Sequence, residues 1–378
     1  MKKLILAVWA LAQFAVSYAQ KKSPEHYLLV GTYTSGKSEG VYVYKFNSET
    51  GDFSYVSTAK NISNPSYLAV SPDEKYVYAV NENHNSAQNG GEITAFSFDK
   101  KTGLLTALNK QASGGNDPCY ISENRSGRFV IAGNYSSGTA AVLPVKKDGS
   151  LDPAVSVVRH EGSSVNADRQ EGPHVHCTVF SKDNKYVFIT DLGIDRIMIY
   201  SFDEKKGTLT PAPTPYVETE PGAGPRHFEF RPDYKFAYLM EELSGGISVY
   251  AYRGKGQLDL LQNISALPPD YIGPVGSADI HVSADGKFLY ASNRGESNSL
   301  AIFSIEPQTG ELTLLGHQST MGKTPRNFNF DPSGNFLLVA NQNTDNIVIF
   351  KRDKATGLLT DTGKKIDVGN PVCLKWIE

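Results

Sequence analysis

Short apolar strings alternate with polar turns from one end of the chain to the other, and no stretch of useful length repeats its apolar residues at helical spacing. The clearest unit is 224–243, GPRHFEFRPDYKFAYLMEEL. Its pattern predicts one strand over 226–230, a turn at Pro232-Asp233-Tyr234-Lys235, and a second strand over 236–240 that runs into two carboxylates, Glu241 and Glu242. Degenerate copies begin at Pro65, Pro118, Val175, Pro225, Ser277 and Pro325, and a seventh first strand begins at Pro371, just before the chain ends. Its missing second strand stands at the other terminus, where YLLVGTY, Tyr27 to Tyr33, has the pattern of YVYAVNE, FVIAGNY and FLLVANQ.

That reciprocal defect predicts a closed ring of seven units, the last assembled from both ends of the chain. Each second strand is followed by another pair, as in DRIMIYSFD or NSLAIFSIE with turns such as KKTGLL and PQTGEL. Four strands at a repeat of about 50 residues describe a β-propeller blade. The expected fold is all-β: a seven-bladed β-propeller with four antiparallel strands per blade, the last blade closed by N- and C-terminal strands. It is one domain over 20–378, with helices nearly absent.

Strand parity then sorts the loops. First strands start and second strands end on one rim, the upper one, while the Thr-Gly turns fall on the lower face. The two longest connections, 159–172 and 262–276, also lie above, and long loops on one face of a rigid scaffold usually mark the functional face.

Two columns of residues meet at that rim. The strand entrances carry Ser66, Cys119, His176, Arg226, Ala278, Arg326 and Val372; the strand ends carry Glu82, Tyr135, Leu192, Glu242, Arg294, Gln342 and Tyr33. Just before the second set stand Asn81, Asn134, Asp191, Glu241, Asn293, Asn341 and Thr32, side chains suited to tying up neighbouring backbone. Structural bonding does not account for His174, His176, Arg226, His227, Glu242 and Arg294 on adjacent blades, because charges converging on a narrow channel are costly unless paired or used on a ligand. Asp279 and His281 share one side of the next first strand by alternation, either as a core pair or as ligand contacts. Asn134, Tyr135, Arg326 and Glu82 are further candidates for ligand contact, whereas His84, His160 and Arg169 read as solvated loop residues.

Composition adds limits. A net charge of -3 gives no reason to expect nucleic acid or anionic lipid. The first residues depart from the repeat: Lys2 and Lys3 precede an apolar run ending near Val16, followed by Ser17-Tyr18-Ala19. This is the pattern of a signal peptide over 1–19, too short to span a bilayer comfortably, and it predicts export to a periplasm or the medium without membrane insertion after removal. Cys119, Cys177 and Cys373 are too few and scattered for a disulfide framework and read as buried small hydrophobes. Metalloprotease, phosphate-loop and nucleophile-elbow motifs do not occur, and HVHC at His174 to Cys177 alone is weak evidence for a metal. Cys119 as a His-activated nucleophile is a minor alternative to packing.

With GTYT at 31–34, NPSYLAVSPD, GPHVHC, GPRHFEF, ADIHVSADGKFLYASNR and TPRNFNFDPSGNFLLVANQ in place, the chain resembles the lactonase family of seven-bladed propellers, which includes propeller-type 6-phosphogluconolactonases and carboxy-muconate cyclases. The resemblance implies chemistry at His176 (or His174), Arg226, Glu242 and Arg294. It also implies a sugar lactone as partner, opened with Glu242 or His176 as base and with Arg226 and Arg294 holding the oxyanion and an anionic group; neither metal nor cofactor is called for. Relatives often show His-Pro-His where this chain has Val175. Export sits uneasily with a phosphorylated, cytosolic substrate, so a binding propeller without turnover and a lactone-forming cyclase remain alternatives. A monomer is expected.

Overall fold

The computed structural model describes residues 24–84 and 90–378. The leader expected over 1–19 lies outside the described residues. Among the described residues, strands β1 (Glu25–Thr32) to β28 (Pro371–Ile377) form seven four-stranded antiparallel sheets, and the only helical piece is a 3₁₀ turn at Gln342–Thr344. The ring closes as the repeat requires: β28 pairs with β1, and β2 (Gly40–Asn47) and β3 (Phe53–Lys60) follow outward in the same sheet. Tyr27 stands opposite Ile377 in that seam, and Thr32 opposite Pro371.

Pro118, Val175, Pro225, Ser277, Pro325 and Pro371 each begin an innermost strand. The second blade differs, because its innermost strand β4 is cut to Leu68–Val70. The strands next to the innermost, such as β9 (Phe129–Asn134), β17 (Phe236–Glu241) and β25 (Phe336–Asn341), are buried at every position. They are covered on both faces by neighbouring blades, which is why they read as unbroken apolar runs. Outermost strands such as β7 (Leu104–Ala112) face solvent and are largely polar or exposed.

One contact repeats around the whole ring. The glycine in each blade's lower-face turn sits on the first aromatic residue of the second strand of the blade before it: a Cβ added at Gly149 would stand 2.0 Å from Tyr76, at Gly310 2.3 Å from Phe236, and at Gly357 2.4 Å from Phe288. Gly51 on Phe336, Gly103 on Tyr27, Gly207 on Phe129 and Gly256 on Tyr186 complete the circle. Each turn also holds positive φ, so glycine is required both by conformation and by the approach of the ring. In three blades a buried tyrosine adds a bond across the same seam: Tyr78, Tyr238 and Tyr290 donate to the carbonyls of Gly149, Gly310 and Gly357.

These contacts predict unequal costs for equal substitutions. Gly363 has φ +71 and open space around it, so Gly363→Ala meets only the left-handed backbone and is expected to cost about 1 kcal/mol. Gly310→Ala adds a clash with Phe236 and is expected to cost about 1–3 kcal/mol more, as overpacking does. Urea unfolding of the two variants measures the difference; equal midpoints would show that the turn does not latch the blades.

Candidate active site

The entrance residues reach the axis through a break in pairing. In β12 (Val175–Phe180), Val175 opposes Asp191 and Cys177 opposes Thr190, which leaves His176 as the extra residue of a bulge. Arg226 in β16 (Pro225–Phe230), Arg326 in β24 (Pro325–Phe330) and Cys119 in β8 (Pro118–Glu123) are skipped in the same way. A bulge bends the strand and re-aims the side chain, here toward the channel. Strand-end residues meet them there, Glu242 from the blade of Arg226 itself and Tyr33 from the blade next to that of Arg326. Most of them line a cavity of about 570 Å³ bounded by Tyr33, Glu82, Cys119, Tyr135, Arg169, His176, Glu242, Gly276, Arg294, Gly295, Thr324 and Arg326.

The cavity is organised around one buried carboxylate. Glu242 Oε1 accepts from Arg169 Nη2 at 2.8 Å, and Oε2 meets Arg226 Nε and Arg294 Nη2, both at 2.9 Å. Burial pushes the Glu242 carboxyl upward, but Arg294 and Arg226, with the bond from Arg169, outweigh it and hold the group well below the usual carboxylate range. Arg294 also donates from Nε to the Gly276 carbonyl at 2.7 Å, and burial pushes its guanidinium down to about 10, leaving it charged at neutral pH. His176 stands beside this group with Nδ1 buried and without a partner among the described residues. Burial first, then Arg226 and His227, keep its imidazole well below the ordinary value and therefore neutral.

Across the cavity, Glu82 accepts from Tyr33 at 2.8 Å and from Ser66, while the Arg326 guanidinium lies 5.4 Å from the Tyr33 ring centre. Three guanidinium groups thus line the space against two carboxylates. The cleft carries local positive charge in a chain whose formal charge is -3, an arrangement that attracts anions.

Several expected site residues stand elsewhere. Arg226 has its side chain only 2% exposed and is absent from the cavity wall; it lies beneath Glu242, with Nη1 donating to the Ala278 carbonyl. Asn134 is turned away from the cavity: its amide donates to the carbonyl of Ser113 and to Thr139 Oγ1, the loop-tying role open to that column. His174 backs the wall, its ring stacked 4.4 Å from that of Tyr135 and its Nε2 3.3 Å from Glu171. His227, Asp279 and His281 form a lower tier off the cavity wall: His227 Nδ1 donates to Asp279 at 2.6 Å, His281 Nε2 lies 3.2 Å from the same carboxylate, and His281 Nδ1 donates to Glu229 at 2.6 Å. Asp279 also accepts from Asn327 and from the backbone of Ile280 and Phe328, so it is a saturated core carboxylate. His227 packs edge-on against His176, ring centres 5.3 Å apart, and so reaches the site only through that residue.

Two loop residues expected to be merely solvated are held by partners distant in sequence. His160 is buried against Asp191 at 2.7 Å, and Arg169 enters the cavity from the long loop before β12. His84 does lie exposed, beside Asp117. All three cysteines are free and buried, and burial pushes the Cys119 thiol upward, away from thiolate chemistry. Among the described residues, no group of three or more His, Cys, Asp or Glu side chains is placed to hold a metal ion.

A family profile described as Lactonase, 7-bladed beta-propeller, matches residues 27–376. A 6-phosphogluconolactonase of Bacillus subtilis is 39% identical over 349 residues, 92% of this chain and 97% of its own. Among solved structures, a chain from Bacteroides fragilis is 43% identical with a TM-score of 0.90, covering 95% of this chain and 99% of that one. The periplasmic gluconolactonase of Pseudomonas aeruginosa is 39% identical with a TM-score of 0.88, covering 94% and 99%.

The lower tier has a measurable electrostatic signature. Burial opposes the charge on His281, but Asp279 and Glu229 overcome it and raise its pKa to about 10. Its contribution to stability is fully present below the ordinary imidazole value of about 6.5 and is lost as pH rises through about 10. Denaturant unfolding between pH 7 and 10 should therefore show a loss of stability that shrinks in His281→Gln; the same slope in both proteins would refute a buried imidazolium.

Proposed function

The chain belongs to the lactonase family of seven-bladed β-propellers, and on that premise we propose that its upper cleft hydrolyses a sugar-acid lactone, as a 6-phosphogluconolactonase does. The observation that carries the assignment of roles is the pairing, in one cavity, of a neutral histidine with guanidinium groups anchored on a carboxylate. A lactone is an activated ester. Its opening needs a base for water and a positive group at the carbonyl oxygen.

His176 is the base in this reading. It lines the cavity in its neutral form, whereas Glu242 is a poor proton acceptor, fully ionised and engaged by three arginines. The imidazole takes a proton from water as the oxygen attacks the carbonyl carbon. Negative charge then gathers on the carbonyl oxygen beside Arg294. On collapse the ring C–O bond breaks, the ring oxygen receives the proton from His176, and the new carboxyl group releases its remaining proton to solvent, so that the hydroxy acid leaves as its carboxylate. Glu242 acts on the arginines rather than on the substrate, fixing their positions and offsetting their mutual repulsion, and Arg226 holds Glu242 from below. The lysine-flanked apolar leader and the likeness to the P. aeruginosa periplasmic enzyme support export, and with it an unphosphorylated sugar lactone as a second substrate reading.

Purified protein should accelerate opening of glucono-1,5-lactone or its 6-phosphate, followed by proton release in weak buffer. His176→Ala is expected to lower kcat by about 100-fold or more, and Glu242→Gln by a comparable factor. Because His176 is held well below its usual pKa, kcat/KM should stay level as pH falls from 8 through 6.5, with the acid limb lying lower. A His176→Ala enzyme working at the wild-type rate would remove that residue from the mechanism.

A further inference from the structure

Four arginines surround Glu242 or face it across the cavity, and they differ in what remains free. Arg226 is 2% exposed and already donates to Glu242 and the Ala278 carbonyl. Arg294 is 15% exposed, with Nε on the Gly276 carbonyl and Nη2 shared between Glu242 and the Ser277 carbonyl, which leaves Nη1 for the lactone carbonyl oxygen. Arg326 is stacked on Tyr33 at the other end. Arg169 is 43% exposed at the mouth, and its bonds to Glu242 Oε1 and to Tyr135 Oη both use Nη2, so Nε and Nη1 remain for a ligand.

A long side chain on a long loop would ordinarily be a poor recognition element, because ordering it costs entropy. Here the loop is already fixed. Asn166 Oδ1 accepts from the backbone N–H groups of Asp168 and Arg169, just ahead of the side chain. Gln170, fully buried on the other side, donates to the Leu192 carbonyl and to Asp195. Asp195 is the clasp: Oδ1 accepts from Gln170 and from Gly224 N, both at 2.8 Å, and Oδ2 accepts from Ser164 Oγ at 2.5 Å and from Gly222 N at 2.7 Å. One buried carboxylate therefore ties the Arg169 loop to the segment that leads into Pro225 and Arg226. Its burial would be costly without those four donors, so the clasp closes only when both segments are in place.

We propose that Arg169 is a specificity-determining residue that reads a second negative group on the substrate, distal to the lactone carbonyl, and that Asp195 is the positioning residue that presents it. The proposal rests on the hydrolytic reading above. A planar fork with free donors suits a phosphate or a carboxylate equally, so the shared chemistry is a lactone bearing an oxyanion substituent. Phosphorylated aldonolactones and monolactones of aldaric acids are the two sources, and an uncharged aldonolactone is the reference.

The test compares kcat/KM on 6-phosphoglucono-1,5-lactone, a glucarate monolactone and glucono-1,5-lactone. In Arg169→Met the ratio of anionic to uncharged substrate should fall by about 10- to 100-fold, the range of one charge-assisted bond, mainly through KM. Whichever anionic substrate loses its advantage identifies the source. Asp195→Asn should lower the same ratio in the wild-type background and leave it unmoved in Arg169→Met. A merely structural role for Arg169 would slow all three lactones alike, and an unchanged ratio in an active enzyme overturns the inference alone. A wild type that opens none of the three overturns the hydrolytic reading and this one with it. If Asp195→Asn shifts the ratio equally in both backgrounds, Asp195 does not act through Arg169.

Discussion

The cleft depends on a carboxylate that ought not to be stable where it is. Taking an isolated anion such as Glu242 out of water costs several kcal/mol, and bringing Arg169, Arg226 and Arg294 together costs their mutual repulsion. Each expense cancels the other only in the assembled site. The three arginines come from a loop, a strand entrance and a strand end on consecutive blades, so the charge balance is satisfied only after those blades have packed together. Polar assembly at the centre and apolar closure of the blades are thus mutually dependent.

Around that centre, polar groups divide by role according to depth. The column just before the strand ends ties return loops, as when Ser244 and Ser248 donate to Glu241 and Ser277 donates to Asn293. The lower tier of His227, Asp279, His281 and Glu229 satisfies itself beneath the cavity. The cavity is drawn from side chains at the rim, where His176 Nδ1 and donors of the guanidinium groups remain free for a ligand.

Seven blades, four strands each and the shared seam were legible because the innermost strands recur with their turns, and the apolar runs are long enough to register against one another. The two columns were legible for the same reason: most of the cavity wall, from Tyr33 and Glu82 to Glu242, Arg294 and Arg326, comes from them. Depth within a column was not legible. The bulges that leave His176, Arg226 and Arg326 unpaired carry no fixed residue type, so Arg226 read as facing a ligand although it lies under Glu242. Arg169 and His160 escaped notice because their positions depend on tertiary bonds to Glu242 and Asp191, and a charged residue in a loop reads as solvated when its partner is far away in sequence. The nearest available signal was the length of the loop itself, which had marked that face as the working one.

The seam between β1 and β28 has a consequence for how the molecule can be held. Tyr27 lies opposite Ile377 at the end of the pair away from Thr32 and Pro371, so both described chain ends emerge from the face opposite the cleft. A support, a fused domain or a surface attached at either end leaves the mouth of the cavity pointing outward and unobstructed. The same geometry sets a mechanical limit: tension applied between the two ends would peel the seam one pair at a time instead of shearing all its bonds together, so the ring is weakest along the line where it was joined.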